Sequence, residues 1–283
     1  ALVNYAPNIS KKLSTVTLTV NNLCNLQCPH CYLQYDGGET KYISPSILEH
    51  LYNAEFKHLV IVGKEPFVNT KTVLLLDEIV QTVKNQGRTI GVISNGLGLD
   101  KITASLAENL SYIDISFDGG ELTYEKYRKG NFKDLIAKIK TVKTQYNFSS
   151  FNALHVVNSQ TIQSLDDMLG VKNYFPFKSI MFSPYIETFN DGINYVEKLK
   201  IEQILSAFAS NKNFLNTQEA FILLDVYHLI GDLKTDDAYS EFSDAPNMAT
   251  VKRLISKYNL DSKVKLIEKD PIHHGFVRLT YDG

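Results

Sequence analysis

Val16-Thr17-Leu18-Thr19-Val20-Asn21-Asn22-Leu23-Cys24-Asn25-Leu26-Gln27-Cys28-Pro29-His30-Cys31 runs from a strand into a loop of cysteines. Residues 16–20 alternate apolar and β-branched side chains, which predicts a buried strand. The loop that follows holds all three cysteines of a 283-residue chain. None is left for a disulfide or a second metal site. Sulfur ligands this close can converge on one soft centre, an iron–sulfur cluster, zinc or copper. A structural zinc site or an ordinary ferredoxin cluster takes four protein ligands. Three thiolates leave one coordination position open for chemistry. Two alternatives stand beside this reading. Cys24, Cys28, Cys31 and His30 could hold zinc, or the cysteines could be buried without a metal. Pro29, His30 and the polar flanks do not read as core, which counts against the second.

Working outward, the pattern of this first strand repeats. Strands are predicted over residues 58–62, 89–93, 113–117, 151–158 and 179–185. Helices are predicted between them, the first opened by the N-cap Ser44 and Pro45, the others over 71–84, 100–108, 131–144 and 162–169. Strands alternating with helices at this interval mean β-α units and a parallel sheet. Each of the first four strands ends in a polar motif: the cysteines, Gly63-Lys64-Glu65-Pro66, Ser94-Asn95-Gly96, and Asp118-Gly119. In a barrel-like parallel sheet these loops share the C-terminal face, where active sites sit.

Taken together, these motifs resemble those of radical S-adenosylmethionine (SAM) enzymes, over roughly residues 15–190. The resemblance implies an α/β fold, a partial (β/α)6 TIM-like barrel with a C-terminal α+β extension. It implies that Cys24, Cys28 and Cys31 hold a [4Fe-4S] cluster whose fourth iron is chelated by the amine and carboxylate of SAM. One electron then cleaves SAM to a 5′-deoxyadenosyl radical, which abstracts hydrogen from substrate. His30 occupies the position of an aromatic residue near the adenine. Gly63, Lys64, Glu65 and Pro66 resemble the Gly-Gly-Glu-Pro motif for the methionine amine. Lys64 departs from its second glycine, which matters only if that position needs positive φ. Ser94 and Asn95, with Ser116 and Asp118, resemble residues lining the ribose and methionine side of SAM. Arg128 resembles an arginine that forks onto the SAM carboxylate. The partners implied are an external one-electron donor, flavodoxin- or ferredoxin-like, and a peptide or small-molecule substrate, with crosslinking, epimerisation or dehydrogenation as the outcomes in view. The cysteine count disfavours subtypes with auxiliary clusters or a thiol hydrogen donor.

Bulk properties narrow the classes further. A net charge of −2 with dispersed lysines argues against a nucleic-acid partner. No apolar run approaches a membrane span, no secretory signal is visible, and grouped unpaired cysteines fit a reducing cytoplasm. Only four arginines stand against twenty-five lysines, which draws attention to Arg128 and Arg278 as placed forks. Residues 1–14 read as an irregular segment, 15–190 as the barrel and 191–283 as an extension for substrate recognition or barrel closure. In that extension helices are predicted over 202–210, 217–230 and 249–258, a polar loop over 236–247, and strands over 263–267 and 275–281. Ala1 suggests a processed start, and Asp282-Gly283 is a hairpin signal with no returning strand. About twenty residues before the cysteines are too few for a leader-binding domain. His155 and Asn158 on the fifth strand and Tyr185 closing the sixth are candidates to point into the barrel, with a core position the preferred reading for His155. His273-His274 is a weak metal or acid/base pair, because neighbours on a strand face opposite ways. Asp166-Asp167 and Asp236-Asp237 read as caps and solvated loops. Against the enzyme stand a non-catalytic iron–sulfur or zinc redox-responsive module and a sugar- or phosphate-using barrel. The latter lacks its phosphate-binding glycine loop.

Overall fold

The computed structural model describes residues 13–31, 39–185, 196–224, 248–267 and 276–279. Six strands, β1 (Leu13–Thr19), β2 (Phe56–Val62), β3 (Thr89–Ser94), β4 (Tyr112–Ser116), β5 (Phe151–Val157) and β6 (Ser179–Pro184), alternate with helices. The helices are α1 (Pro45–Asn53), α2 (Thr70–Asn85), α3 (Ala104–Asn109), α4 (Glu121–Arg128), α5 (Phe132–Tyr146) and α6 (Leu165–Leu169). Then follow α7 (Ile201–Ser210), α8 (Lys212–Asn216), β7 (Ala220–Leu224), α9 (Met248–Lys257), β8 (Val264–Leu266) and β9 (Phe276–Leu279). The strands form one nine-stranded sheet in the order β8-β7-β6-β5-β4-β3-β2-β1-β9. Every pairing is parallel. The sheet curls as a partial TIM-like barrel, and among the described residues its outermost strands, β8 and β9, are not paired with each other.

Local chemistry sets the element boundaries. Ser44 caps α1, its Oγ accepting from Ile47 N at 3.4 Å, with Pro45 at the first turn. Asn69 and Asn131 cap α2 and α5 in the same manner, accepting from Thr72 N and Asp134 N. The apolar stripe of α2, Val73, Leu76, Ile79, Val80 and Val83, is buried against one face of the sheet's core. That face carries Leu59, Ile61, Ile90, Val92, Ile113, Ile115, Ala153 and Phe182. Phe182 packs edge-on against Phe208 of α7 and Phe214 of α8. Each such side chain contributes about 1.5–3 kcal/mol by leaving water.

Residues that alternate with these point to the opposite, concave face. There Ile93, Leu154 and Met181 are only partly buried. A hydrogen-bonded row crosses three strands beside them. Asn152 Nδ2 donates to Asp114 Oδ1 at 2.8 Å, and Ser179 Oγ donates to Asn152 Oδ1 at 2.8 Å. Burial pushes the Asp114 carboxyl up to about 6.

Several expectations need correction. The helix predicted over 217–230 is β7 in its first part, while residues 225–230 lie outside the described residues. Ala220-Phe221-Ile222-Leu223-Leu224 is a short continuous apolar run, a pattern shared by buried strands and buried helices. The predicted helix 100–108 divides into a 3-10 turn, Leu99–Lys101, and α3, because Thr103 Oγ1 accepts from Leu106 N and starts a new helix. Residues 162–169 divide likewise into a turn, Ile162–Ser164, and α6. Helix α4 was not expected, since its buried face is only Tyr124, Tyr127 and Arg128. Asp236-Asp237, the 236–247 loop, His273-His274 and Asp282-Gly283 lie outside the described residues.

Candidate active site

The cysteine loop starts where β1 ends, and two asparagines pin it. Asn21 Oδ1 accepts from Leu23 N at 2.8 Å, while its Nδ2 donates to the Glu65 carbonyl at 3.1 Å. Asn22 closes the far end, accepting from Lys41 N at 2.8 Å and donating to Glu39 O at 2.9 Å. The loop is thus tied both to its own return and to the loop after β2. Neither asparagine was singled out from the sequence. A polar pair directly after a strand is the signal, but it reads equally as ordinary turn chemistry.

Glu65 is 0% exposed and ties the next two loops together. Its Oε1 accepts from Ser94 Oγ at 2.6 Å and from Phe67 N at 3.0 Å, and its Oε2 accepts from Asn95 N at 2.7 Å. Burial pushes its carboxyl up, opposed by these three donors. Gly63 and Lys64 are half-buried and Pro66 is buried. Lys64 is not among the positive-φ residues, so lysine in place of glycine strains nothing. Two glycines permit the loops to touch. Gly96 has φ +78°, and a Cβ on Gly98 would lie 2.0 Å from Phe67 O.

Asn95 reaches the cysteines. Its Nδ2 donates to Asn25 Oδ1 at 2.8 Å and lies 3.7 Å from Cys24 Sγ, which also accepts from Leu26 N at 3.3 Å. On the other side Arg128, the last residue of α4 and 6% exposed, places Nη1 3.6 Å from Cys28 Sγ. Its Nη2 lies 2.7 Å from Asp118 Oδ2 and 3.4 Å from His30 Nε2. Asp118 is fully buried and left-handed, φ 61°, and its Oδ1 accepts from Val156 N at 2.6 Å. Burial, the largest single influence, disfavours the Asp118 charge, but Arg128 and the other neighbours together hold the carboxyl below its usual range. Breaking a buried pair of this kind by removing one partner costs about 3–5 kcal/mol. Ser116 sits half-buried at the end of β4, paired in register with Leu154.

His30 stacks flat on Tyr127, with centroids 5.1 Å apart, and the Tyr127 hydroxyl accepts from Asn158 Nδ2 at 2.8 Å. Burial holds His30 down at about 4, so it is neutral near pH 7. His155, fully buried beside Phe182, is likewise pushed down to about 4. It is the core histidine expected. Asp167 does not cap α6, which has no side-chain cap; its Oδ2 accepts from Gly120 N at 2.8 Å instead. Asp166 accepts from Asn211 and Asn213 on the surface, and Tyr185 is buried.

The residues present suit an anionic, sulfur-ligated group. Three thiols share one loop, and two of the sulfurs already face N–H donors from other elements. Buried polar atoms without a partner gather at the same place: His30 Nδ1, Arg128 Nε and Tyr124 Oη. Such atoms ask for a bound partner. Burial pushes the Cys24 thiol up to about 11, and it pushes Cys28 up against the pull of Arg128. Metal ligation, which deprotonates a thiol, offsets that cost. The zinc arrangement is not the geometry present. Among the described residues no three His, Cys, Asp or Glu side chains are placed to hold a single ion, and His30 Nε2 faces Asp118 and Arg128. A cube of iron and sulfide keeps its ligating sulfurs further apart than one ion does.

The family model described as the Radical SAM superfamily matches residues 18–170, and the chain belongs to that superfamily of enzymes. The cofactors that define it are a [4Fe-4S] cluster and SAM. The chain is 27% identical over 207 residues to a cysteine-type anaerobic sulfatase-maturating enzyme of Clostridium novyi, covering 64% of this chain and 53% of that one. A probable GTP 3′,8-cyclase of Methanococcus aeolicus is 23% identical over 56% of each chain. The chain therefore spans about half the length of the curated relatives it matches. Among solved structures, Streptococcus suis SuiB bound to S-adenosylmethionine superposes with a TM-score of 0.57 at 14% identity, over 75% of this chain and 49% of that one. The same protein bound to its precursor peptide SuiA gives 0.53 at 13%, over 69% and 44%. The structure of anSMEcpe with bound AdoMet and the Cp18Cys peptide gives 0.50 at 20%, over 70% and 58%. At these identities the likeness is one of fold. No described helix is long and apolar enough to cross a membrane.

Proposed function

We propose that this chain carries out radical SAM chemistry on a peptide substrate. The observation that carries the reading is the cysteine loop itself, with Asn95 donating toward Cys24 Sγ and Arg128 toward Cys28 Sγ. Cys24, Cys28 and Cys31 hold the cluster and leave one iron for SAM. Bound together, cluster and SAM supply a 5′-deoxyadenosyl radical that abstracts hydrogen from carbon. The protein's share is binding, orientation and exclusion of water. Backbone groups of Gly63, Lys64, Glu65 and Pro66 would receive the methionine amine, with Glu65 bracing that loop against Ser94 and Asn95. Ser94, Asn95 and Ser116 would line the ribose and methionine side of bound SAM. Asp118 holds Arg128 at the inner edge of the site, where its unspent Nε can meet the SAM carboxylate. His30, flat on Tyr127, offers the adenine a ring.

A peptide is favoured over a small metabolite for two reasons. Among the described residues, Ile93, Leu154 and Met181 on the concave face are only partly buried, which leaves apolar surface for a chain to lie on. Two of the fold neighbours have been solved holding peptides. An external flavodoxin- or ferredoxin-like donor supplies the electron, in a reducing cytoplasm suited to three grouped thiols. The test is anaerobic reconstitution, then SAM, dithionite and candidate peptides deuterated at carbon. Deuterium in 5′-deoxyadenosine, lost in Cys28→Ala, supports the reading. 5′-Deoxyadenosine that stays unlabelled with every peptide but gains deuterium from a small metabolite removes the peptide assignment.

A further inference from the structure

Arg128 and Asp118 form a charged pair that the binding roles above do not use up. The pair is sealed from solvent and over-determined. Asp118 is fixed by a left-handed backbone, by Val156 N on Oδ1 at 2.6 Å, and by Ser164 Oγ on its carbonyl at 3.3 Å. Asp118 Oδ2 in turn holds Arg128 Nη2 at 2.7 Å, which leaves Nη1 aimed at Cys28 Sγ, 3.6 Å away. The positive end of the pair therefore touches one cluster ligand and the negative end stands behind it. Cys24 and Cys28 are served differently: Cys24 Sγ meets neutral donors, Leu26 N and Asn95 Nδ2.

We propose that the Asp118–Arg128 pair is a positioning device that sets the reduction potential of the cluster held through Cys28. The proposal rests on the cluster reading. Iron–sulfur potentials follow net charge, hydrogen bonds to sulfur and exposure to solvent. Reduction adds one negative charge next to Cys28. A guanidinium there favours the reduced state, and the carboxylate behind it opposes it. Because both are buried, water and salt screen little of either effect. Glu65 and His155 also act on the pair through space and Cys31 acts on Cys28, so the pair's share of the field at the sulfur is read by changing the charge at Arg128 and at Asp118 one at a time.

The experiment is a redox titration of the reconstituted full chain, followed by the electron paramagnetic resonance of the reduced cluster, without SAM. It compares wild type with Arg128→Gln, Arg128→Lys and Asp118→Asn. Asparagine tolerates the left-handed backbone at 118. Arg128→Gln is expected to make reduction about tenfold harder, roughly 59 mV for one electron. Asp118→Asn is expected to shift the potential the opposite way, and Arg128→Lys, which keeps the charge, to stay near wild type. Unchanged potentials, or shifts of the same sign in Arg128→Gln and Asp118→Asn, would overturn the proposal. If Arg128→Gln does not retain a cluster, Asp118→Asn decides: a raised potential supports the proposal and an unmoved one ends it. A wild-type chain that loads no cluster removes the cluster reading and this inference together, whereas a loaded cluster with unmoved potentials removes this inference alone.

Discussion

At Glu65 two carboxylate oxygens take three donors, one from its own loop and two from the end of β3, all of them out of water. Glu65→Gln replaces one acceptor by an NH2 that must face a donor. A loss of about 2 kcal/mol is expected, measured by urea unfolding of wild type and variant; equal midpoints would show that Glu65 braces nothing. Asp114 gives a pH test. Its carboxyl is pushed by burial to about 6, from 3.8. For an acid raised in the folded state, ionisation costs stability above the folded value, and the cost disappears as pH falls from about 6 to 4. Asp114→Asn removes it, so the variant should exceed wild type by roughly 3 kcal/mol at pH 8 and match it near pH 4. A difference independent of pH would contradict the assignment. At this scale the sequence revealed the residue types but not their partners. Glu65, Asp118 and Arg128 were all legible as motif residues. That Asp118 and Arg128 spend much of their charge on each other was not, because nothing in a strand-end Asp-Gly names a partner on the following helix.

Elements were legible where periodicity was strong. Six strand–helix units gave the sheet and placed the motif loops at one end. The strand β7 was not legible, because a five-residue apolar run has no period to read. Helix α4 was missed although it delivers Arg128, since two tyrosines and an arginine do not make an apolar stripe. The contact between the loops after β2 and β3 is equally hidden in sequence, yet it is tight. A Cβ on Gly98 would lie 2.0 Å from the Phe67 carbonyl oxygen. Gly98→Ala must push these loops apart, with about 1–3 kcal/mol lost and weaker SAM binding, measured by equilibrium dialysis on the cluster-loaded protein. Unaltered binding would mean that the loop after β2 does not form the SAM site.

For the whole molecule, fold and site belong together: the cysteine loop and the motifs at Glu65, Asn95 and Asp118 each follow a strand of one parallel sheet, and α4 brings Arg128 to them. Substrate choice was not legible in the sequence, because half-buried side chains on the concave face such as Ile93, Leu154 and Met181 carry no motif or spacing to read. The central claim is that three cysteines leave an iron for SAM. The measurement that tests it most directly is anaerobic reconstitution with iron and sulfide, followed by SAM and dithionite, with metal analysis and chromatography for 5′-deoxyadenosine. The account predicts a full [4Fe-4S] complement and 5′-deoxyadenosine from wild type, and neither from Cys28→Ala. A chain that takes up a single zinc ion and leaves SAM intact would contradict it.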